Sequence, residues 1–505
     1  MQNGQLLAAI DLGSNSFRLE IGLLEHGHIR RVEYLKETVR QGNALDAERM
    51  LSKEAMERGW DCLARFSERL AGFGPQFVRA VATQTLREAN NREEFLTQAE
   101  KILGYPIEVI SGREEARLIY SGVANLLPQS DERRLVVDIG GRSTELIVGK
   151  AYKPQTMESY RVGSVKWSMK YFADGQFTAL AFEWAEVAAK AVLDEALSLY
   201  PRSSWDIAYG SSGTIGAVAD VLQIAGWSDH VISRDGLNWL KEKLIKSGRA
   251  DVLKLDGVKE DRKAVIGGGL AVLIALFDLM QIDEMHSAQG ALRHGVLYDL
   301  MQRENSTDLR SSMVMALGNR FAVDLPQAER VQKTALILFK GILDKSLYAP
   351  DVASRLEKKL NWAAHLLEIG TRISHSDFHK HGAYILDNAD LPGFSMPELH
   401  RLSQLILGHR GKLKKLELEM KKPEFVLQLL SIRMAAILCH ARRDPDLKGV
   451  VLKKSDTTEN GFVIQCKKSW VLQWPQSAHL LREECIAWQK TPWQLEWLEL
   501  SSKTV

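Results

Sequence analysis

The chain has 505 residues, 45% hydrophobic and 26% charged, which excludes a disordered or fibrous polymer and leaves room for about three or four domains. Sixty-six Lys and Arg against 64 Asp and Glu give a net charge of +2, so no global field steers a polyanion and a phosphate-rich partner must be held by local clusters. Four dispersed cysteines, Cys62, Cys439, Cys466 and Cys485, exclude a disulfide framework or a cysteine zinc site and point to a reducing compartment.

The opening residues, Met1 to Gln5, carry no basic region. The apolar run Leu6–Ile10 is too short for a signal peptide, and the most apolar window, Ala264–Met280, is too short to span a bilayer. A soluble, cytoplasmic protein without a membrane partner is expected. Alternation predicts strands at Leu6–Ile10, Phe17–Leu24 and Ile29–Tyr34. A helix at Lys53–Leu70, a strand at Phe77–Ala82, a helix at Arg92–Leu103 and a strand at Ile107–Ile110 follow. The next helix opens at Ser111, with Glu114 three residues on in the spacing of a capping box. Three more strands begin near Val136; a helix at Phe182–Leu199, a strand near Ile207 and glycine-bearing helical segments (Gly267–Gly269) lead to a strand-turn-helix at Ser287–Leu300.

After the polar stretch Gln302–Arg310 the pattern is helical: Ala328–Asp344, Asp351–Glu368, Met396–Leu407 and Phe425–Ala441. Beyond Pro445, alternating runs at Gly449–Leu452 and Gly461–Cys466 and a strand at Trp470–Trp474 predict a small α+β cap. Trp470, Trp474, Trp488, Trp493 and Trp497 are its expected packing anchors.

Two segments repeat at a constant offset of 127 residues. Ala9-Ile10-Asp11-Leu12-Gly13-Ser14-Asn15-Ser16 matches Val136-Val137-Asp138-Ile139-Gly140-Gly141-Arg142-Ser143, and Leu19 and Gly22 then match Leu146 and Gly149. Each reads as a strand, a tight turn and a returning strand, so the chain contains a duplicated α/β domain. Gly13 and Gly140 allow close backbone approach, and Ser14, Asn15, Ser16, Ser143 and Thr144 add short donors, a composition suited to phosphate oxygens. Asp11 and Asp138, each at a strand end, suit a Mg²⁺ bridging such oxygens. A third glycine-rich turn, Gly210-Ser211-Ser212-Gly213-Thr214, follows a strand and opens a helix, where an anion or nucleotide can bind.

Together, Asp-Leu-Gly-Ser-Asn-Ser, Ser-Gly-Arg-Glu-Glu-Ala-Arg, Asp-Ile-Gly-Gly-Arg-Ser-Thr-Glu and Gly-Ser-Ser-Gly-Thr resemble the exopolyphosphatase / guanosine pentaphosphate phosphohydrolase family of the actin and sugar-kinase superfamily. The similarity extends to Trp362-Ala363-Ala364 and to His379–Leu386. The resemblance implies an α/β fold of two duplicated actin-like (RNase H-like) ATPase-type domains, 1–126 and 127–303. A helical domain of the His-Asp phosphohydrolase kind (304–445) and a C-terminal α+β domain (446–505) follow. It implies that Glu115 is the catalytic base. Ser14, Asn15, Ser16, Arg87, Gly140, Gly141, Ser143, Gly210, Ser212, Gly213 and Thr214 would bind phosphate, and Asp11, Asp138 and Glu145 would bind Mg²⁺, or Mn²⁺ in its place. Arg142 replaces a glycine of many relatives and either adds a phosphate contact or faces solvent. The first helical turn holds Glu115, where the helix dipole favours its ionised form. Glu114 is its nearest rival.

In the helical domain the His-Asp pattern is broken: Leu366-Leu367-Glu368-Ile369-Gly370 stands where relatives carry a metal-binding histidine. His365, His375, His379, His381 and His409 are therefore expected to cap or pack, without forming a second active site. Lys412, Lys414, Lys415, Lys421 and Lys422 form either a solvated loop or a track guiding a polyanion. The expected activity is release of orthophosphate from the end of inorganic polyphosphate, with removal of the 5′ terminal phosphate of guanosine pentaphosphate (pppGpp) as the alternative. A kinase on the same fold would instead bind ATP tightly, and a silent polyphosphate or alarmone sensor would bind without turnover. The resemblance further implies a homodimer; no motif for specific nucleic-acid recognition is present.

Overall fold

The computed structural model describes residues 1–128, 130–227, 231–302, 309–344, 346–389, 391–458 and 460–500. The expected domain boundary at 303/304 lies outside them. By contact density the chain forms two units, Met1–Ser306 with Asp390–Ser395, and Thr307–Ala389 with Met396–Val505.

The first unit holds two sheets. Strands β1 (Leu6–Leu12), β2 (Ser16–Glu25), β3 (His28–Thr38), β4 (Val78–Ala82) and β5 (Ile107–Val109) assemble in the order β3-β2-β1-β4-β5. The second sheet contains β6 (Arg133–Ile139), β7 (Thr144–Lys150), β8 (Lys153–Tyr160), β9 (Ile207–Ser211), β10 (Val231–Ser233) and β11 (Glu284–Ser287), ordered β10-β11-β9-β6-β7-β8. Read from β8, this repeats the first order strand for strand, with β10 added at the edge. The duplication seen in two turns is thus a duplication of the whole sheet. Central strands β1 and β6 read as unbroken apolar runs because both faces are covered: Leu7–Ile10 and Leu135–Val137 are fully buried.

Glycines let helices approach where a side chain would collide. A Cβ on Gly295, in the Leu292–Gln302 helix, would lie 1.7 Å from the Leu118 carbonyl oxygen, so this helix rests directly on the Gly112–Leu126 helix. In the Gly267–Gly269 run, a Cβ on Gly268 would lie 2.4 Å from the Ser168 backbone nitrogen. The expected Phe182–Leu199 helix is two, Ala179–Leu193 and Ala196–Leu199.

Six helices, Leu309–Arg320, Leu325–Ile342, Pro350–His365, Phe378–Asp387, Met396–Gly408 and Pro423–Leu438, supply most of the second unit. A small sheet follows, β12 (Val450–Lys454), β13 (Gly461–Lys467) and β14 (Gln494–Leu500) in the order β12-β13-β14. The expected strand at Trp470–Trp474 is instead the helix Lys468–Gln473. Tertiary packing overrides the local alternation: Trp470 is buried against Gly449, its indole nitrogen donates to the Asp446 carbonyl (2.8 Å), and Pro475 opens the next helix. Trp470 and Trp488 are buried anchors, whereas Trp474, Trp493 and Trp497 are only partly covered. All four cysteines are free and buried. No helix among the described residues is long and apolar enough to cross a membrane.

Ser111 caps the Gly112–Leu126 helix by accepting the Glu114 N–H (3.2 Å), but Glu114 does not complete a capping box. Its carboxylate takes both arms of Arg117 (2.7 and 2.8 Å), and Arg117 and Arg79 also hold Asp299 (2.5 and 2.7 Å). All four side chains are nine-tenths or more buried. Removing one cation from such a cluster leaves buried charge uncompensated. Arg117→Ala is expected to destabilise the protein by about 3–5 kcal/mol in chemical denaturation. Breaking the exposed, solvent-screened Arg133–Asp206 pair with Arg133→Ala should cost far less. Equal effects would refute this reading of the cluster.

Candidate active site

A cleft of about 400 Å³ opens where the three glycine-rich turns meet. Its wall includes Asp11, Gly13, Ser14, Asn15 and Ser16 from the β1–β2 turn, and Asp138, Gly140, Gly141 and Ser143 from the β6–β7 turn. Ser212, Gly213 and Thr214 come from the third turn, and Glu115 from the first turn of its helix. The two hairpin turns are built alike. A Cβ on Gly13 would sit 3.0 Å from the Ser16 carbonyl oxygen, and one on Gly140 would sit 3.0 Å from that of Ser143. Ser212 holds φ at 107°, a conformation that costs a non-glycine residue about 1–3 kcal/mol, while its hydroxyl accepts the N–H groups of Thr214 (3.2 Å) and Ile215 (3.3 Å). Such a held, strained turn fits a site shaped for a ligand.

The symmetry of the two hairpins breaks at one register position. Asp11 faces Arg18 across β1–β2 and is paired with it at 3.0 Å. Asp138 faces the equivalent residue of β6–β7, and that residue is Glu145. One Asp is neutralised; the other meets a second carboxylate. Burial raises Asp138 to about 6, against the pull of Ser211 and Arg18. Burial, then Glu115 and Asp138, push Glu145 well above the usual carboxylate range. Ser159 donates to Glu145 Oε1 (2.7 Å), while the buried Oε2 has no hydrogen-bond partner.

Glu115 is held by Arg87, whose Nη1 donates to Oε2 at 2.9 Å and to the Ile110 carbonyl at 2.7 Å. Burial nevertheless raises Glu115 to about 7, helped by Asp11 and Asp138. The helix dipole expected to keep it ionised is outweighed by desolvation. Glu114, fully buried in its ion cluster, does not line the cleft. Glu115 does.

Arg87, Gly210 and Glu145 stand behind the wall. Gly210 packs against Ile215 and Met285. Arg142 neither lines the cleft nor faces solvent freely: Glu88 binds its Nε (2.9 Å) and Nη2 (2.7 Å), and the Gly42 carbonyl binds Nη1 (2.8 Å). Missed from the sequence are Arg18, Lys36, Lys259, Arg262 and Arg293, five cations on the same wall. Only Arg18 left a signal, as the register partner of Asp11. Lys36 lies opposite Arg18 on the neighbouring strand β3, and Lys259, Arg262 and Arg293 arrive from distant segments.

No group of three His, Cys, Asp or Glu among the described residues is arranged to hold an ion by itself. Asp138, a buried oxygen donor on the cleft wall, suits a hard divalent cation, with the orphaned Oε2 of Glu145 behind it. Water and substrate oxygens would complete its shell. In the helical unit His365, His379 and His409 are buried, and the five loop lysines are exposed around short turns at Leu413–Leu416 and Glu419–Lys421.

Duplicated sheets ending in phosphate-type turns around a set of buried carboxylates, Glu115 among them, define a phosphohydrolase of the actin-like class. The chain belongs to the Ppx/GppA phosphatase family: that family model matches residues 23–304, and the model for Ppx/GppA phosphatase domain III matches residues 309–485. It is 38% identical over 493 residues to the guanosine-5'-triphosphate,3'-diphosphate pyrophosphatase of Pseudoalteromonas translucida (strain TAC 125), covering 97% of each chain. Identity to the protein of the same name from Aeromonas hydrophila is 37% over 508 residues, covering 99% of this chain and 100% of the relative. The crystal structure of the Aquifex aeolicus Ppx/GppA family member matches with a TM-score of 0.51 at 25% identity, over 60% of this chain and 99% of that one.

A carboxyl group whose pKa is raised on folding penalises the native state once it ionises. The penalty is absent below about pH 4.5, grows as pH rises towards 7 and is complete above it. Glu115→Gln is therefore expected to stabilise the metal-free protein by about 1–3 kcal/mol at pH 8, with the gain fading near pH 5. Urea midpoints at the two pH values test this. Lower stability of the variant at pH 8 would contradict it.

Proposed function

We propose that this protein hydrolyses guanosine 5′-triphosphate 3′-diphosphate, releasing the terminal 5′ phosphate as orthophosphate. The observation carrying this reading is Glu115, a buried carboxylate at the wall of a cleft formed by three phosphate-type turns. Both relatives described above, matched over nearly their full length, carry the name guanosine-5'-triphosphate,3'-diphosphate pyrophosphatase, which supports this reading over the exopolyphosphatase expectation. Long-chain polyphosphate, which presents the same terminal anhydride, stands as the second substrate to test.

Ionised Glu115 takes a proton from one water, whose oxygen forms a bond to the terminal phosphorus. The bridging P–O bond breaks, and the shortened nucleotide leaves with the electron pair. A base with a pKa near 7 is poised for this at neutral pH. Arg87 orients the carboxylate. Ser14, Asn15, Ser16, Gly140, Gly141, Ser143, Ser212, Gly213 and Thr214 supply donors to phosphate oxygens, and Lys259 and Arg262 balance the substrate's charge, joined by Arg18, Lys36 and Arg293, which hold Asp11, Asp261 and Glu20 in the free protein. Mg²⁺ on Asp138, Glu145 and Asp11 would neutralise charge on those oxygens. The reading extends to a helical unit derived from a His-Asp scaffold without its metal centre, a cytoplasmic location and a homodimer. A monomeric mass by light scattering would remove the dimer.

Glu115→Gln is expected to lower kcat by about 10²–10⁴-fold with pppGpp and Mg²⁺, with KM little changed. Retained turnover would move the base elsewhere. Wild-type kcat/KM for pppGpp should exceed that for long-chain polyphosphate measured in parallel; the reverse order would restore the exopolyphosphatase reading. For the free enzyme, kcat/KM should fall about tenfold per pH unit below about 7, because protonated Glu115 cannot accept a proton. A flat profile between pH 5 and 7 would exclude a base titrating there.

A further inference from the structure

The segment Leu391–Ser395 lies in sequence between the Phe378–Asp387 and Met396–Gly408 helices of the second unit, yet it packs within the first. Its sequence, Leu391-Pro392-Gly393-Phe394, forms a tight turn. The Phe394 N–H donates to the Leu391 carbonyl (3.1 Å), proline occupies the second position, and Gly393 sits third at φ 89°, as a type II turn requires. Proline fixes one dihedral and glycine supplies the other, so the turn is stiff before it docks. Phe394 is fully buried, and Ser395 is nearly so.

The strap touches the Gly112–Leu126 helix where that helix begins. Gly393 donates its N–H to Glu114 Oε2 at 2.6 Å, one residue from Glu115. Ser395 forms an antiparallel bridge with Ile110, just before the Ser111 cap. The Ile110 carbonyl accepts Arg87 Nη1, the same nitrogen that donates to Glu115. One five-residue strap therefore fixes both the helical turn that carries the base and the strand end that anchors its partner.

We infer that the strap Leu391–Ser395, with Phe394 as its anchor, is a positioning element for Glu115. It rests on the base assignment made above. Reactions that depend on one oriented water are sensitive to small displacements of the base, and about 1 Å can cost 10²-fold. Loss of the anchor should therefore lower kcat and leave KM, set by the turns and cations of the cleft, nearly unchanged.

The test compares phosphate release from pppGpp and from polyphosphate by the full chain and by Phe394→Ala, Phe394→Leu and Pro392→Gly, at a temperature where circular dichroism shows each folded. Phe394→Ala should lose about tenfold or more in kcat with KM within about threefold, and Phe394→Leu, which refills most of the volume, should recover most of it. Pro392→Gly removes no buried group; it frees the turn and should lower kcat alone by about threefold. This variant decides the matter if Phe394→Ala does not fold. Wild-type kcat in the folded variants, or a loss confined to KM or thermal stability, would reduce the strap to packing and overturn the inference. Glu115→Gln in the same assay separates the two failures: if it retains turnover, the base assignment falls and the inference falls with it.

Discussion

The site depends on one unfavourable pairing. Across the second hairpin Asp138 faces Glu145, where the first hairpin sets Arg18 against Asp11. Duplication made the two turns alike in backbone, and a single difference in charge separated their roles. The first turn is internally balanced by an ion pair. The second concentrates negative charge in a region shielded from water, where like charges repel strongly and ionisation is costly. A proton, a divalent cation or the approach of an ion-bound phosphate relieves that cost, so the asymmetry itself turns a symmetric scaffold into a directional site.

Five cations on the same wall give the complement. Among the described residues Arg262 has no ion-pair partner, and burial together with Arg18 pulls its pKa below the ordinary value. A half-buried guanidinium without a carboxylate gains from an incoming polyanion what it lacks in the free protein. The cleft thus holds uncompensated acid at Asp138 and Glu145 and, at Lys259 and Arg262, cations without an ion pair among the described residues, while Arg18, Lys36 and Arg293 are held by Asp11, Asp261 and Glu20. The proposed substrate, carrying several phosphates and a divalent cation, would satisfy both. The near-neutral total of the chain conceals this separation, which is why net charge alone gave no hint of a polyanionic ligand.

Local periodicity and turn chemistry made the two hairpins and the third turn legible, because each is encoded in one short run of consecutive residues, whereas Glu115 is singled out only through the family resemblance. The offset of 127 residues even foretold the shared strand order. Choosing between Glu114 and Glu115 needed three dimensions: Arg79, Arg117 and the Gly393 N–H claim the first carboxylate, and none of them is adjacent in sequence except by helix periodicity. Arg142 looked like a phosphate contact until Glu88 and the Gly42 carbonyl appeared beside it. Lys259, Arg262 and Arg293 reach the cleft from segments whose local sequence carries no phosphate signature. The Lys468–Gln473 helix was misread because Trp470 answers to a buried pocket and not to local alternation.

The protonation of Glu115 shows how magnitudes decide between two sound arguments. A helix N-terminus favours a carboxylate by at most about 2 kcal/mol, and an arginine at 2.9 Å adds to it. Burial works in the opposite direction and wins, leaving the group near 7. That outcome is less stable than a carboxylate held fully ionised, but it is better matched to proton transfer at neutral pH. A base pulled low by its partners would be a weak acceptor, and one pushed far higher would be protonated when needed. Burial next to Asp11 and Asp138, tempered by Arg87, holds Glu115 between these limits. The native state bears the energetic cost of that compromise at a helical turn that the Gly393 N–H and the Arg117–Glu114 and Arg117–Asp299 pairs hold in place.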